Sequence, residues 1–246
     1  MGWDISYHPL AEEEIQSIYV DGLRDGNHGR RLQRRFGLDR RQLDRLEECL
    51  QSARAIDGSA SFQEGHAFHL AIISGCLRRY HYIRGGAFSF MADDGPMRRY
   101  ISDWSSLLPA RLHASGIHGR LTGNRCGGVY LSVTSLRALR QDYYRDAHVR
   151  GCMDEVFSQG RLAVFWQALD DAVGQGLGLI EASEVVQPNP FNLTASRSLA
   201  VLENCERAGQ LLYAQAAARQ LGAALEANRD KLPLLDPQVP APLRDK

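Results

Sequence analysis

The chain has 246 residues, a formal charge of zero and 44% apolar residues. That apolar share supports a sizeable core and excludes global disorder, and the charge balance excludes the overall basic field of a general nucleic-acid binder. The opening Met1-Gly2-Trp3-Asp4 lacks a basic segment followed by an apolar one, and no run is long enough to span a bilayer. A cytoplasmic protein without a membrane partner is therefore expected.

Trp3, Ile5 and Tyr7 alternate with polar residues as in a half-buried strand. Pro9 is expected to open a helix with Glu12, Glu13 and Glu14 in its first turns and Ile15, Ile18, Tyr19 and Leu23 on its buried stripe. Asp39 reads as the N-cap of a helix carrying Leu43, Leu46, Leu50 and Ala53. Phe62 to about Tyr80 reads as a mostly buried helix, and Tyr80 to Phe90 as a strand pair or a bulged strand. Pro96 begins an amphipathic helix with Met97, Tyr100, Ile101, Trp104 and Leu108 on one face. Ala110 to Gly128 shows no sustained period and is expected to be either a long surface loop or an insertion.

Val129, Leu131 and Val133 alternate as a strand, followed by a helix from near Ser135 and another over Arg161–Val173. Glu181 to Gln187 is compatible with helix or strand, and Pro188-Asn189-Pro190 is a firm stop. Helices are expected near Ala195–Glu203 and over about Ala208–Asn228. Pro233, Pro237, Pro240 and Pro242 mark a tail. The result is a predominantly helical α+β single domain over residues 1–231, with a small β-sheet of parallel or mixed order and a proline-rich tail over 232–246.

No catalytic or cofactor motif emerges. Five scattered cysteines, Cys49, Cys76, Cys126, Cys152 and Cys205, form no C-x-x-C pair and read as reduced thiols, so neither a disulfide frame nor a metal site is expected. His66 and His69 have a spacing that suits a metal but no third ligand, and read as structural histidines. Arg84-Gly85-Gly86 reads as a tight turn in preference to an anion nest. Neither a G-x-S-x-G serine nor a histidine partner for Cys126 can be assigned.

The charge pattern is more informative. Gly26 to Arg45 holds seven arginines, Arg30, Arg31, Arg34, Arg35, Arg40, Arg41 and Arg45, against Asp39 and Asp44. Gly151 to Glu206 holds eight acids, Asp154, Glu155, Asp170, Asp171, Glu181, Glu184, Glu203 and Glu206, against Arg161 and Arg197. Such opposed segments either pair with each other or steer a charged partner.

The segments Met1–Pro9, Gly65–Phe68, Arg84–Phe90, Gly160–Gln167 and Glu181–Val186 resemble a family of proteobacterial proteins that are themselves similar to immunity partners encoded beside polymorphic or type VI secreted toxins of the Rhs kind. The resemblance spans most of the chain and carries over no catalytic residue. It implies a cytoplasmic immunity protein that occludes its cognate toxin by protein–protein contact, without catalysis or cofactor. Asp154, Glu155, Asp170, Asp171, Glu181 and Glu184 are then the expected acidic contact face, with Arg30, Arg31, Arg34 and Arg35 as the alternative. Two rivals are an enzyme acting on a small molecule and an RNA-binding protein using Arg30 to Arg45.

Overall fold

The computed structural model describes residues 3–56, 61–110, 112–114, 117 and 119–229, so the proline-rich tail lies outside the described residues. Strand β1 (Asp4–Leu10) leads into the short α1 (Glu12–Glu14) and a π-helical turn over Ile15–Val20, then α2 (His28–Phe36) and α3 (Arg40–Arg54). β2 (Ser61–Phe62), the buried α4 (Glu64–Leu77) and β3 (Tyr80–Arg84) follow, then α5 (Gly95–Arg98), α6 (Trp104–Leu107) and β4 (His113–Ala114). β5 (Gly127–Leu131), α7 (Val133–Arg145), α8 (Ala147–Val156), α9 (Arg161–Gly174) and β6 (Gly178–Ser183) come next. The chain then forms β7 (Val186–Gln187), β8 (Arg197–Ser198), β9 (Cys205–Glu206) and α10 (Arg207–Ala227).

Five strands form one sheet in the order β5-β6-β1-β3-β9. Its pairings are antiparallel except for β3 with β9, which settles the sheet as mixed. Side-chain alternation divides the core into two layers, one on each face. Leu10, Tyr80, Tyr82, Tyr130, Ile180 and Ala182 join the apolar residues of α3 and α4. Ile5, Tyr7, Ile83, Val129, Leu131 and Leu179 join those of α7, α8 and α9 on the other face. The fold is thus a helix-rich α+β structure with a small sheet between two helical layers.

Local chemistry explains most boundaries. Asp39 caps α3 as expected: its carboxylate accepts from Gln42 N at 2.8 Å while the Gln42 side chain accepts from Asp39 N at 3.0 Å. Leu46, Leu50 and Ala53 then face the core. α10 seats on β3 through Gly209, where a Cβ would lie 1.6 Å from the Tyr82 carbonyl oxygen. No α10 residue beyond Gln210 is buried.

Several expectations are corrected. Pro9 lies inside β1, opposite Leu179, and does not open a helix. Pairing with β3 has ended at Tyr7, so the missing proline N–H breaks no bond on that side. Phe62 and Tyr80 fall in β2 and β3, outside α4. After β3 the chain turns through Gly85 at φ +70° into a 3-10 turn over Phe88–Met91, with no second strand. The expected helix after Pro96 is broken into α5 and α6, because Ser102 N donates to Tyr130 O at 2.9 Å and Asp103 starts a new helix by capping Ser105 N. The stretch near Ala195–Glu203 forms two 3-10 turns flanking β8. α8 buries only Val149 and Met153, too few apolar positions to mark a helix in the sequence.

Candidate functional site

A groove of about 680 Å³ opens between α3 and the β7–β8 pair. Arg41, Arg45 and Glu48 lie along the exposed face of α3 and form one wall. The capping box at Asp39 sets where that helix begins. The opposite wall is Gln187 and Arg197, which sit opposite each other across β7 and β8, followed by Leu199, Leu202 and Glu203. The buried Val185, Ala200 and Val201 supply an apolar floor.

This wall is tied to the core at several points. Ser198 Oγ sits 2.9 Å from Tyr80 Oη and accepts from Ala200 N at 3.0 Å. Leu199 N donates to Val185 O at 2.9 Å. The Asn204 amide donates to Gly75 O at 3.0 Å and Cys76 O at 3.2 Å, satisfying carbonyls at the end of α4. Beneath it, His8 stacks on Tyr80 with ring centres 4.6 Å apart. Burial, and then the neighbouring His81, push His8 down to about 3, so it is neutral.

The rim charges are largely paired. Arg41 binds Glu203 at 2.5 Å and Arg45 binds Glu48 at 2.9 Å, while Asp44 lies 4.0 Å from Arg40. The exposed Arg125 and Arg197 have no ion-pair partner among the described residues. Arg125 is held at φ +58°, a conformation side-chain-bearing residues rarely adopt. The groove thus combines an apolar floor, a paired polar rim and two exposed guanidinium groups without an ion-pair partner among the described residues, which suits a partner presenting an apolar side chain near carboxylates.

The sequence-predicted acidic face does not assemble as one surface. Glu181 is fully buried: its Oε2 accepts from Tyr7 Oη at 3.0 Å and Ser89 N at 3.2 Å, and burial raises its pKa. It therefore cannot touch a partner at the surface. Asp170 is bound by Arg140 at 2.7 Å, Asp171 by His81 at 2.9 Å and Asp154 by Tyr143 Oη at 2.8 Å. Glu184 is half-buried at φ +59°, with burial raising its pKa. Glu155 is exposed on α8.

The arginine-rich segment divides too. Arg31 pairs with Asp25 and lies 3.0 Å from His28, and Arg35 pairs with Glu14 at 3.3 Å. Arg30 and Arg34 are exposed without an ion-pair partner among the described residues. Arg41 with Glu203 is the ion pair that joins this segment to the acidic one among the described residues.

His66 and His69 serve different structural partners, Tyr19 Oη at 2.7 Å and Gly65 O at 2.8 Å. All five cysteines are free, and Cys152 alone of them is half-buried. Arg125, Val185 and the Leu199–Leu202 strip were not anticipated from sequence, because they meet only after folding. The signal available beforehand was Arg197, an isolated base in an acidic window.

No family model, no characterised protein and no solved structure matches the chain. Among the described residues no helix is long and apolar enough to cross a membrane.

Proposed function

We propose that the chain is an immunity protein that binds a cognate antibacterial toxin and occludes it by protein–protein contact, with the α3/β7–β8 groove as the contact site. What supports this reading is the groove itself: an apolar floor of Val185, Ala200 and Val201 beneath the exposed Arg125 and Arg197, which form no ion pair among the described residues, although Arg125 interacts electrostatically with Glu184. Together with the resemblance of the sequence to toxin-immunity partners, this favours a toxin segment with an apolar anchor and flanking Asp or Glu.

A protein segment fits better than an enclosed small molecule. The groove's wall residues Arg41 and Glu203 have side chains 82% and 59% exposed, and the site is lined by no fully buried titratable side chain of the kind that enzyme pockets use. Its floor-and-rim pattern is that of a protein interface. On the loop joining β7 to β8, Phe191 is 68% exposed, and aromatic residues of this kind often anchor interfaces.

The test is to ask whether the neighbouring gene encodes a large toxin with a variable C-terminal domain, to co-express that domain with this chain, and to titrate the purified pair by calorimetry. Protection and binding are expected for the native chain. Each charge-assisted contact contributes about 1.5–3 kcal/mol, so Arg125→Glu with Arg197→Glu should weaken binding by roughly 100-fold or more. Asp154→Arg with Glu155→Arg should leave it within a few-fold. The opposite ranking would move the interface to α8, and failure to bind or protect would refute the reading.

A further inference from the structure

On the surface formed by α8 and the start of α5, three potential ligands converge: Asp94, His148 and Cys152, whose ligand atoms all lie within 4.8 Å of one another. His148 and Cys152 are four residues apart on α8 and therefore project from the same helix face. Asp94 comes from the turn that precedes α5. His148 Nε2 lies 2.8 and 3.0 Å from the two Asp94 oxygens and 3.5 Å from Cys152 Sγ. Cys152 Sγ lies 3.9 Å from Asp94 Oδ2.

We propose that Asp94, His148 and Cys152 form a zinc site with a fourth position open to solvent. Thiolate, imidazole and carboxylate are the zinc donor set, and a tetrahedral ion at ordinary bond lengths separates neighbouring ligand atoms by about 3.4–3.6 Å. The sulfur–nitrogen distance already matches, the sulfur–oxygen distance is slightly long, and the nitrogen–oxygen contact need open by only about half an ångström.

Two helix caps organise the cluster before any ion arrives. Asp94 Oδ1 accepts from Met97 N at 3.1 Å, which fixes the carboxylate while Oδ2 faces the thiol. Asp146 accepts from His148 N at 2.9 Å and so fixes the first turn of α8. No arginine or lysine pairs with Asp94 among the described residues, so its charge remains available to a cation. The His148 side chain is 51% exposed and that of Asp94 29%, which leaves an approach for water or a partner's donor at the fourth position. Bound zinc would tie the turn before α5 to α8.

The test is titration of the reduced full-length chain with cobalt(II), then displacement by zinc. One equivalent should give intense tetrahedral d–d bands and a thiolate-to-cobalt charge-transfer band that zinc abolishes. Cys152→Ser should remove the charge-transfer band, since the other four cysteines are buried. His148→Ala and Asp94→Asn should each weaken zinc binding by at least the ~10–100-fold that outer-shell changes cost elsewhere. All three sites are at the surface, and circular dichroism checks that the variants stay folded. Absence of stoichiometric cobalt binding in the native chain, or a charge-transfer band that survives Cys152→Ser, overturns the proposal.

Discussion

His8 gives the most quantitative prediction, because it connects pH to the support beneath the groove. Its ring is fully buried, its Nε2 is 2.8 Å from Ser6 Oγ, and its Nδ1 has no partner. Protonation puts a charge where little compensates it, and the folded-state value falls to about 3. An unfolded histidine titrates near 6.5. Between those values the unfolded state binds more protons than the folded state, so the contribution of neutral His8 is complete above about pH 6.5 and is lost progressively as pH falls toward about 3. From pH 7 to pH 5 the loss is about 2 kcal/mol. The assay is urea unfolding of the native chain and of His8→Gln at both pH values. His28, His66 and His69 are also shifted downward, but they are common to both proteins, do not couple to His8 and cancel in the difference. Native protein should lose about 2 kcal/mol more than His8→Gln over this interval. Equal losses would refute the assignment.

Other substitutions test separate links. Gly209→Ala places a Cβ against the Tyr82 carbonyl and should destabilise by about 3 kcal/mol or more in thermal unfolding. Gly222→Ala on the same helix meets nothing within 4 Å and should stabilise slightly, through helix propensity. Tyr7→Phe removes the hydroxyl that donates to Glu181 and accepts from Phe88 N at 2.8 Å, and should cost about 1–3 kcal/mol by denaturant unfolding. Asp39→Ala removes the cap of the groove-forming helix and should cost about 1 kcal/mol, with faster amide exchange in the first turn of α3.

Much of the fold is legible in local pattern. The alternation of Ile5 and Tyr7 announces β1, the apolar period from Leu162 to Leu169 announces α9, and Asp39 announces α3. What is not legible depends on distant partners. Glu181 looks like a surface acid because its buried position is made by Tyr7, 174 residues away, and by the backbone at Ser89. The break between α5 and α6 depends on the Tyr130 carbonyl, and Pro9 is tolerated in β1 because the pairing with β3 does not extend past Tyr7.

The candidate site is less legible still. Its walls come from α3, the turn at Arg125 and the strip from Val185 to Glu203, and no one of these carries a motif. The two imbalanced segments are visible in the order of charges, but the pairing of Arg41 with Glu203, and the absence of an ion pair at Arg125 and Arg197 among the described residues, arise only in the folded chain.

The α3/β7–β8 groove is proposed to receive a toxin segment. The most direct measurement is the affinity of the native chain and of the Arg125→Glu/Arg197→Glu variant for the proposed cognate toxic domain, read by calorimetry alongside survival of cells expressing that domain. Tight binding and survival with the native chain, and loss of both with the folded double variant, are predicted. Undiminished binding by the double variant would contradict the account.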